Sequence, residues 1–350
     1  MKIAIDCRLI GSSGIGTFIE NVVDHLVEDQ HHSFVLIGNP DRLLLYRHRE
    51  HCHIVACTYD SFTVNELFRF PTAVVNHCDA FYTPNFNIPM GIHVPIFSTI
   101  HDIVLLDTNH FGSALKKMIT RWYLRRALHI SRTVFTVSHF SEERIKATFP
   151  TSTTIIVVPN GISKELRHYA ETHPAENSRE GIVYLGNLKK HKGIHTLIDA
   201  YDQLVQSGVK KTLTIIGRLD FRTKDEDLIG KIETYKDRIR FVTNADNEDV
   251  FRLMSKAEVL VSPSLYEGFG IPPLEAMYLS TPTIISDIPV YQEIYSNLPV
   301  TYFKAGDADD LARKMRDHRY TPLHIQSKID QLYNYQKTAD TILGQIVAIV

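Results

Sequence analysis

The sequence predicts an α/β protein made of two doubly wound domains, and three observations carry that prediction. Short β-branched and apolar runs alternate with amphipathic helical stretches along the chain. The alternation is interrupted once, between 162 and 182, by a polar stretch containing His173-Pro174-Ala175-Glu176-Asn177-Ser178-Arg179, and then restarts. Finally, 350 residues exceed one ordinary core, so two domains are the default.

Residues 2–6 enter a strand at once. Gly14-Ile15-Gly16 fills the loop to a helix over 17–28, which keeps Phe18, Val22 and Leu26 on one face. Residues 33–38, 96–101, 133–138 and 155–159 read as the further strands of this half. Two of these, 96–101 and 133–138, are nearly continuous apolar runs, as expected of parallel strands buried on both faces. Ser141 is a good N-cap, with Glu142 and Glu143 in the first turn after it. Past the linker, 181–186, 211–217, 239–242, 259–262 and 283–286 are strands, the last being the final clear one, and 195–206 is a helix. A helical stretch over 327–350 follows.

Bulk properties narrow the function. Hydrophobic content of 44% and charged content of 22% are those of a soluble globular protein. A formal net charge of −2 argues against a dedicated nucleic-acid binder. Cys7, Cys52, Cys57 and Cys78 include no CxxC pair, so they read as reduced core thiols of a cytosolic protein. The start of the chain lacks a signal-peptide pattern, and the apolar run 342–350 is too short to span a bilayer. The expectation is a cytoplasmic protein, soluble or peripheral at a membrane.

The densest chemistry lies in Tyr266-Glu267-Gly268-Phe269-Gly270-Ile271-Pro272-Pro273-Leu274-Glu275-Ala276. The prolines suit a first helical turn, where their missing N–H groups would be unpaired anyway. The glycines allow positive φ or a close backbone approach. Glu267 is thereby placed on a loop and Glu275 in the first turn of the following helix. The amides of Phe269, Gly270 and Ile271 are placed to meet an anion. A phosphate there would repel both glutamates, so they more plausibly accept hydrogen bonds from hydroxyls. Backbone for phosphate and carboxylates for hydroxyls make a sugar-nucleotide site.

With two such halves joined at the middle, the chain resembles the family 4 retaining glycosyltransferases of the GT-B fold, two Rossmann-like domains facing across a cleft. The resemblance runs through Gly14-Ile15-Gly16-Thr17-Phe18, His101-Asp102, Val137-Ser138, Val158-Pro159-Asn160-Gly161-Ile162 and Tyr184-Leu185-Gly186-Asn187-Leu188 with Lys192-Gly193. It ends in Pro263-Ser264-Leu265-Tyr266-Glu267-Gly268-Phe269-Gly270. It implies an acceptor domain over 1–165, a donor domain over 180–326, and the 327–350 helix crossing back to the first domain. The opening Asp6-Cys7-Arg8-Leu9 and the pair His191-Lys192 look most like O-antigen and exopolysaccharide mannosyltransferases, which generally use GDP-mannose.

By this resemblance Glu267, His101 and Lys192 are catalytic. Gly14, Gly16, Asn187, Arg218, Phe269, Gly270, Ile271, Leu274 and Glu275 hold the donor, and Val242, Thr243 and Asn244 lie at the nucleobase. Glu275 takes the two ribose hydroxyls, which two carboxylate oxygens suit; its structural alternative is a first-turn carboxylate complementing the helix dipole. Glu267 contacts the transferred sugar beneath its anomeric centre, and Lys192 neutralises the leaving diphosphate. Many relatives carry arginine where Asn187 stands, and Arg218 is positioned to compensate. His101 faces the sugar, while Asp102 orients the loop or the histidine. Asp107 and His110 could suggest a metal site, but such enzymes generally need no metal. Ser280 stands where relatives usually have glycine.

Lys116, Lys117, Arg121, Trp122, Arg125, Arg126 and Arg132 fall on one predicted helix. Trp122, Leu124 and Leu128 read as its core face, with a solvated basic edge. Peripheral contact with anionic lipid, where a lipid-linked acceptor would lie, stays open. Two other classes compete with an active transferase. One is an idle sugar-nucleotide-binding subunit, disfavoured by intact Glu267, Glu275, Lys192 and His101. The other is a Rossmann oxidoreductase, disfavoured because Ile19 stands where G-x-G-x-x-G needs its third glycine.

Overall fold

Strands of four to six residues rich in Ile, Val and Phe can bury both faces only inside a helix-covered parallel sheet. Both sheets here are of that kind. A computed structural model describes residues 1–59, 63–108, 113–175, 179–217 and 226–350. The chain divides into two compact units, Met1–Gly161 with Asn334–Val350, and Ile162–Tyr333.

The first unit holds β1 (Lys2–Asp6), β2 (Ser33–Gly38), β3 (Cys52–Ala56), β4 (Ala80–Thr83), β5 (Ile96–Thr99), β6 (Ser131–Thr136) and β7 (Thr154–Val157). They form one parallel sheet in the order β3-β2-β1-β4-β5-β6-β7. Ile3 pairs with Phe34 on one side and Ala80 on the other, so the strand order reverses at β1 and β4. One face packs Ala4, Val35, Ile37, Phe81 and Ile96 under Phe70 and Ala127. All four cysteines are buried free thiols.

The second unit holds β8 (Ile182–Leu185), β9 (Leu213–Ile216), β10 (Ile239–Val242), β11 (Val259–Ser262), β12 (Thr283–Ser286) and β13 (Thr301–Phe303). Their order, all parallel, is β10-β9-β8-β11-β12-β13, reversing between β8 and β11. The core joins Ile182, Tyr184, Ile215, Val259, Val261 and Ile284 to Leu197, Tyr201, Leu204 and Met315 of the covering helices.

Several sequence expectations are corrected. Strands β3, β4 and β13 are additions to the sequence expectation: β3 is a half-exposed edge interrupted by His53, β4 is a buried four-residue run, and β13 has only three residues. The expected linker contains the helix Lys164–Thr172, which belongs to the second unit. Ser138, not Ser141, is the N-cap, its hydroxyl accepting from the Ser141 amide at 3.1 Å. Arg132 lies on β6, outside the basic helix Ala114–Ile130. The stretch 327–350 is two helices, Gln326–Leu332 and Tyr335–Ile349, broken at the unit boundary.

The second of these helices lies against the helix Ser13–Leu26 of the first unit. Tyr335 meets Phe18 edge-on and donates to Asn160 Oδ1 at 3.1 Å. Thr338 donates to the Pro159 carbonyl at 2.6 Å. Gly161 has no room for a side chain, since a Cβ would stand 2.5 Å from the Tyr335 nitrogen.

Candidate functional site

Doubly wound sheets bind ligands beyond the carboxyl ends of the strands where the order reverses. In the second unit that rule selects the loops after β8 and β11, and the structure clips the two together. Leu265 and Tyr266 both donate backbone hydrogen bonds to the His191 carbonyl, at 2.7 and 3.3 Å. Gly193 sits at φ +67° against Pro263, and a Cβ there would overlap the Pro263 carbonyl oxygen. Glycine is therefore needed at 193 for both conformation and contact.

The clip brings Lys192 onto Glu267. Its ammonium donates to both carboxylate oxygens at 2.7 Å, and Ser264 Oγ adds a third bond to Oε1 at 2.8 Å. Both side chains are only partly buried, 27% exposed for Lys192 and 12% for Glu267, so a ligand can reach them. Burial and the neighbouring Lys192 charge push His191 down to about 4, so it is neutral near pH 7.

Gly270 precedes the helix Ile271–Tyr278 with φ +88°, facing the Tyr291 ring. Tyr295 donates to the Gly270 carbonyl. The Leu274 side chain is wholly buried and anchors the helix in the core. The Phe269 ring is likewise core, edge-on to Tyr333, which leaves its backbone as the part near the helix start.

Glu275 is the fifth helical residue, just past the first turn where the sequence reading placed it. Burial alone pushes its carboxyl up to about 7. Among the described residues no group donates a hydrogen bond to it. Glu275 is only partly buried, so its carboxylate is open to a donor from solvent or from a ligand. At the other end of the helix Ser280 adopts φ +62°, the left-handed position usually given to glycine. Gln326 donates to its hydroxyl at 3.0 Å.

The Asn187 carbonyl accepts from Tyr184 Oη and the Lys189 amide, at 3.1 and 2.9 Å. Val242 ends β10, and Thr243 and Asn244 are exposed beyond it, Asn244 at φ +59°. Arg218 and His110 lie outside the described residues, and among those described no cluster of three metal-binding side chains occurs.

In the first unit the helix begins at Ser13, so Gly14 and Gly16 lie in its first turn and not in a preceding loop. Gly16 packs that turn against the chain, a Cβ standing 2.5 Å from the Leu9 carbonyl oxygen, whereas Gly14 faces open space. His101 meets Phe18 edge-on at 4.8 Å, beside the same turn. Its Nε2 lies 3.0 Å from the Pro84 carbonyl, and burial lowers its pKa to about 4, so it is a neutral imidazole donating to Pro84 with Nδ1 left as an acceptor. Asp102 accepts from the Val104 amide at 3.0 Å and so fixes the loop after His101.

A charge cluster absent from the sequence reading occupies the strand ends of this unit. Arg8 donates to Asp6 through Nε and Nη2, at 2.8 and 2.6 Å, and its Nη2 also lies 2.8 Å from Glu66. Asn87 donates to Glu66, and the Arg8 guanidinium lies over the Phe70 ring. Asp6 and Arg8 stand two residues apart at a strand end, whereas Glu66 and Asn87 are too distant in sequence to be matched to them.

Residues 12–166 match the family Glycosyltransferase Family 4, and residues 168–318 match Glycosyl transferases group 1. The O-antigen chain mannosyltransferase RfbU of Salmonella typhimurium is 32% identical over 200 residues, 57% of this chain and 54% of RfbU. Glycogen synthase of Mycobacterium tuberculosis is 31% identical over 204 residues, 56% of this chain and 47% of that protein. The chain thus spans about half the length of these curated relatives. Anabaena HepE, in a crystal structure with UDP and glucose, superposes with a TM-score of 0.75 over 100% of both chains at 17% identity. With a family 4 domain followed by a group 1 domain on the GT-B fold, the chain belongs to the glycosyltransferases.

Proposed function

We propose that the protein is a retaining glycosyltransferase that takes mannose from GDP-mannose and passes it to a hydroxyl of a glycan or lipid-linked saccharide, in the cytoplasm. The observation that carries the donor reading is Glu275, a carboxylate without a protein donor on the helix that follows the Glu267 loop. Its two oxygens would accept both ribose hydroxyls, replacing water with two charge-assisted bonds. Lys192 would take the diphosphate, helped by the Gly270 and Ile271 amides at the helix start. Glu267, released from Lys192, would accept from hydroxyls of the sugar. We assign the acceptor surface to the first domain, where the Gly14–Gly16 backbone would approach the donor diphosphate or the acceptor and His101 would face the reacting sugar.

In the proposed reaction the acceptor oxygen bonds to the anomeric carbon on the face from which the diphosphate leaves. The carbon–phosphate oxygen bond breaks, and the hydroxyl proton passes to a phosphate oxygen. A neutral His101 cannot act as a general acid near pH 7, but its Nδ1 can accept from a sugar hydroxyl. Lys192 carries the electrostatic load by stabilising charge on the leaving group.

The likeness to RfbU supports mannose. HepE, crystallised with UDP and glucose, favours a second reading with a UDP-sugar donor. Thermal shift against GDP-mannose, UDP-glucose and UDP-N-acetylglucosamine separates them, because a bound ligand stabilises in proportion to the logarithm of its concentration over Kd. Stabilisation by GDP-mannose is expected. A response to UDP sugars alone overturns the mannosyl assignment, and no response to any nucleotide overturns the donor site.

A further inference from the structure

The helix Ala114–Ile130 is apolar on two opposite sides. Tyr123, Leu124, Ala127 and Leu128 are buried in the first domain. Leu115, Met118, Ile119 and Trp122 are 61%, 63%, 44% and 44% exposed. The exposed four follow i, i+3, i+4 and i+7, so they form one stripe, and at about 100° per residue it lies nearly opposite the buried face. Trp122 therefore is not core, contrary to the sequence reading. Four adjacent large side chains left in water over the first turns of one helix are not the scattered apolar residues of an ordinary surface.

The charge around the stripe has one sign. Lys116, Lys117, Arg121, Arg125 and Arg126 all belong to this helix, which contains no Asp or Glu, in a chain of formal net charge −2. Lys117 is held by the Thr108 carbonyl at 2.8 Å, Arg126 by the Ile88 and Pro89 carbonyls, and Arg121 lies over the Phe149 ring. Lys116 and Arg125 are exposed beside the stripe. An apolar stripe bordered by cations is complementary to an anionic lipid surface, where side chains enter the acyl boundary and ammonium and guanidinium groups meet phosphates. A second copy of the same helix would set like charges against each other. Among the described residues no helix is long and apolar enough to cross a membrane, so the contact would be one lying on the surface.

We propose that Leu115, Met118, Ile119 and Trp122, with Lys116 and Arg125, dock this protein on anionic membranes. The test uses the full chain with phosphatidylcholine vesicles containing or lacking phosphatidylglycerol, with no donor or acceptor present. Its failure therefore leaves the transferase reading standing. Trp122 is the single tryptophan of the chain and reports from inside the proposed contact. Co-sedimentation with the anionic vesicles and a blue shift of Trp122 emission are expected. Lys116→Glu with Arg125→Glu should lower the partition coefficient at least about fivefold per charge replaced. Met118→Gln with Ile119→Gln should lower it at least about tenfold; both pairs are exposed, so folding is checked by an unchanged thermal transition. The proposal is overturned if the protein stays in the supernatant. Sedimentation without an emission shift, or a shift produced by self-association without lipid, overturns it equally.

Discussion

Glu275 couples one titration to both stability and affinity. Its folded-state pKa is raised from 4.5 to about 7 by burial, so between those values the folded state holds more protons than the unfolded one. Stability must then fall as pH rises through this window, with the cost fully present above pH 7 and absent below 4.5. Glu275→Gln removes that slope and should make the free protein roughly 1–2 kcal/mol more stable than wild type at pH 8, in denaturant titrations across pH. Donor affinity runs the other way. The ribose needs a carboxylate, so binding should strengthen up to about pH 7, and the same variant should lose at least about tenfold in nucleotide affinity at pH 8. Equal nucleotide affinity in the two proteins would remove Glu275 from the donor site.

Two glycines at the starts of helices separate a structural requirement from a permissive position. Gly193→Ala meets the Pro263 carbonyl and a left-handed backbone, so it should cost roughly 2–4 kcal/mol and loosen the clip between the β8 and β11 loops. Gly14→Ala has open space within a helix and should be neutral or stabilising by about 0.5 kcal/mol. Thermal melts of both distinguish them, and comparable losses would contradict the packing described for Gly14. The same contrast shows what the sequence could carry. Strands β1, β2, β10, β11 and β12 were legible because each is a dense apolar run between turn residues. Gly14 and Gly16 look equivalent as letters, yet only Gly16 is pressed against another segment. Glu267 and Glu275 stand out as site candidates through motif spacing, and Lys192 through its place a few residues after a strand end. That Lys192 and Glu267 neutralise each other was not legible, because their pairing depends on where two loops meet. The Arg8–Glu66 contact was hidden for the same reason, and the exposure of Trp122 could not be read from a helix that is apolar on both sides.

The two domains differ in how they are assembled from the chain. The second is one continuous stretch, Ile162–Tyr333, containing Lys192, Glu267 and Glu275, whereas the first combines Met1–Gly161 with Asn334–Val350. A 162–333 fragment should therefore fold and retain nucleotide binding, readable by thermal shift. A 1–161 fragment should be markedly less stable than 1–161 joined to 334–350, because it exposes the surface that Tyr335, Thr338, Ile342 and Ile346 cover. Equal stability of these two pieces would show that the Tyr335–Ile349 helix is dispensable. The crossing also sets an order during synthesis. Domains generally fold as units while they leave the ribosome, yet here the half translated first is completed last. The nascent first domain waits, with its Phe18 and Asn160 surface uncovered, until the entire second domain has been made.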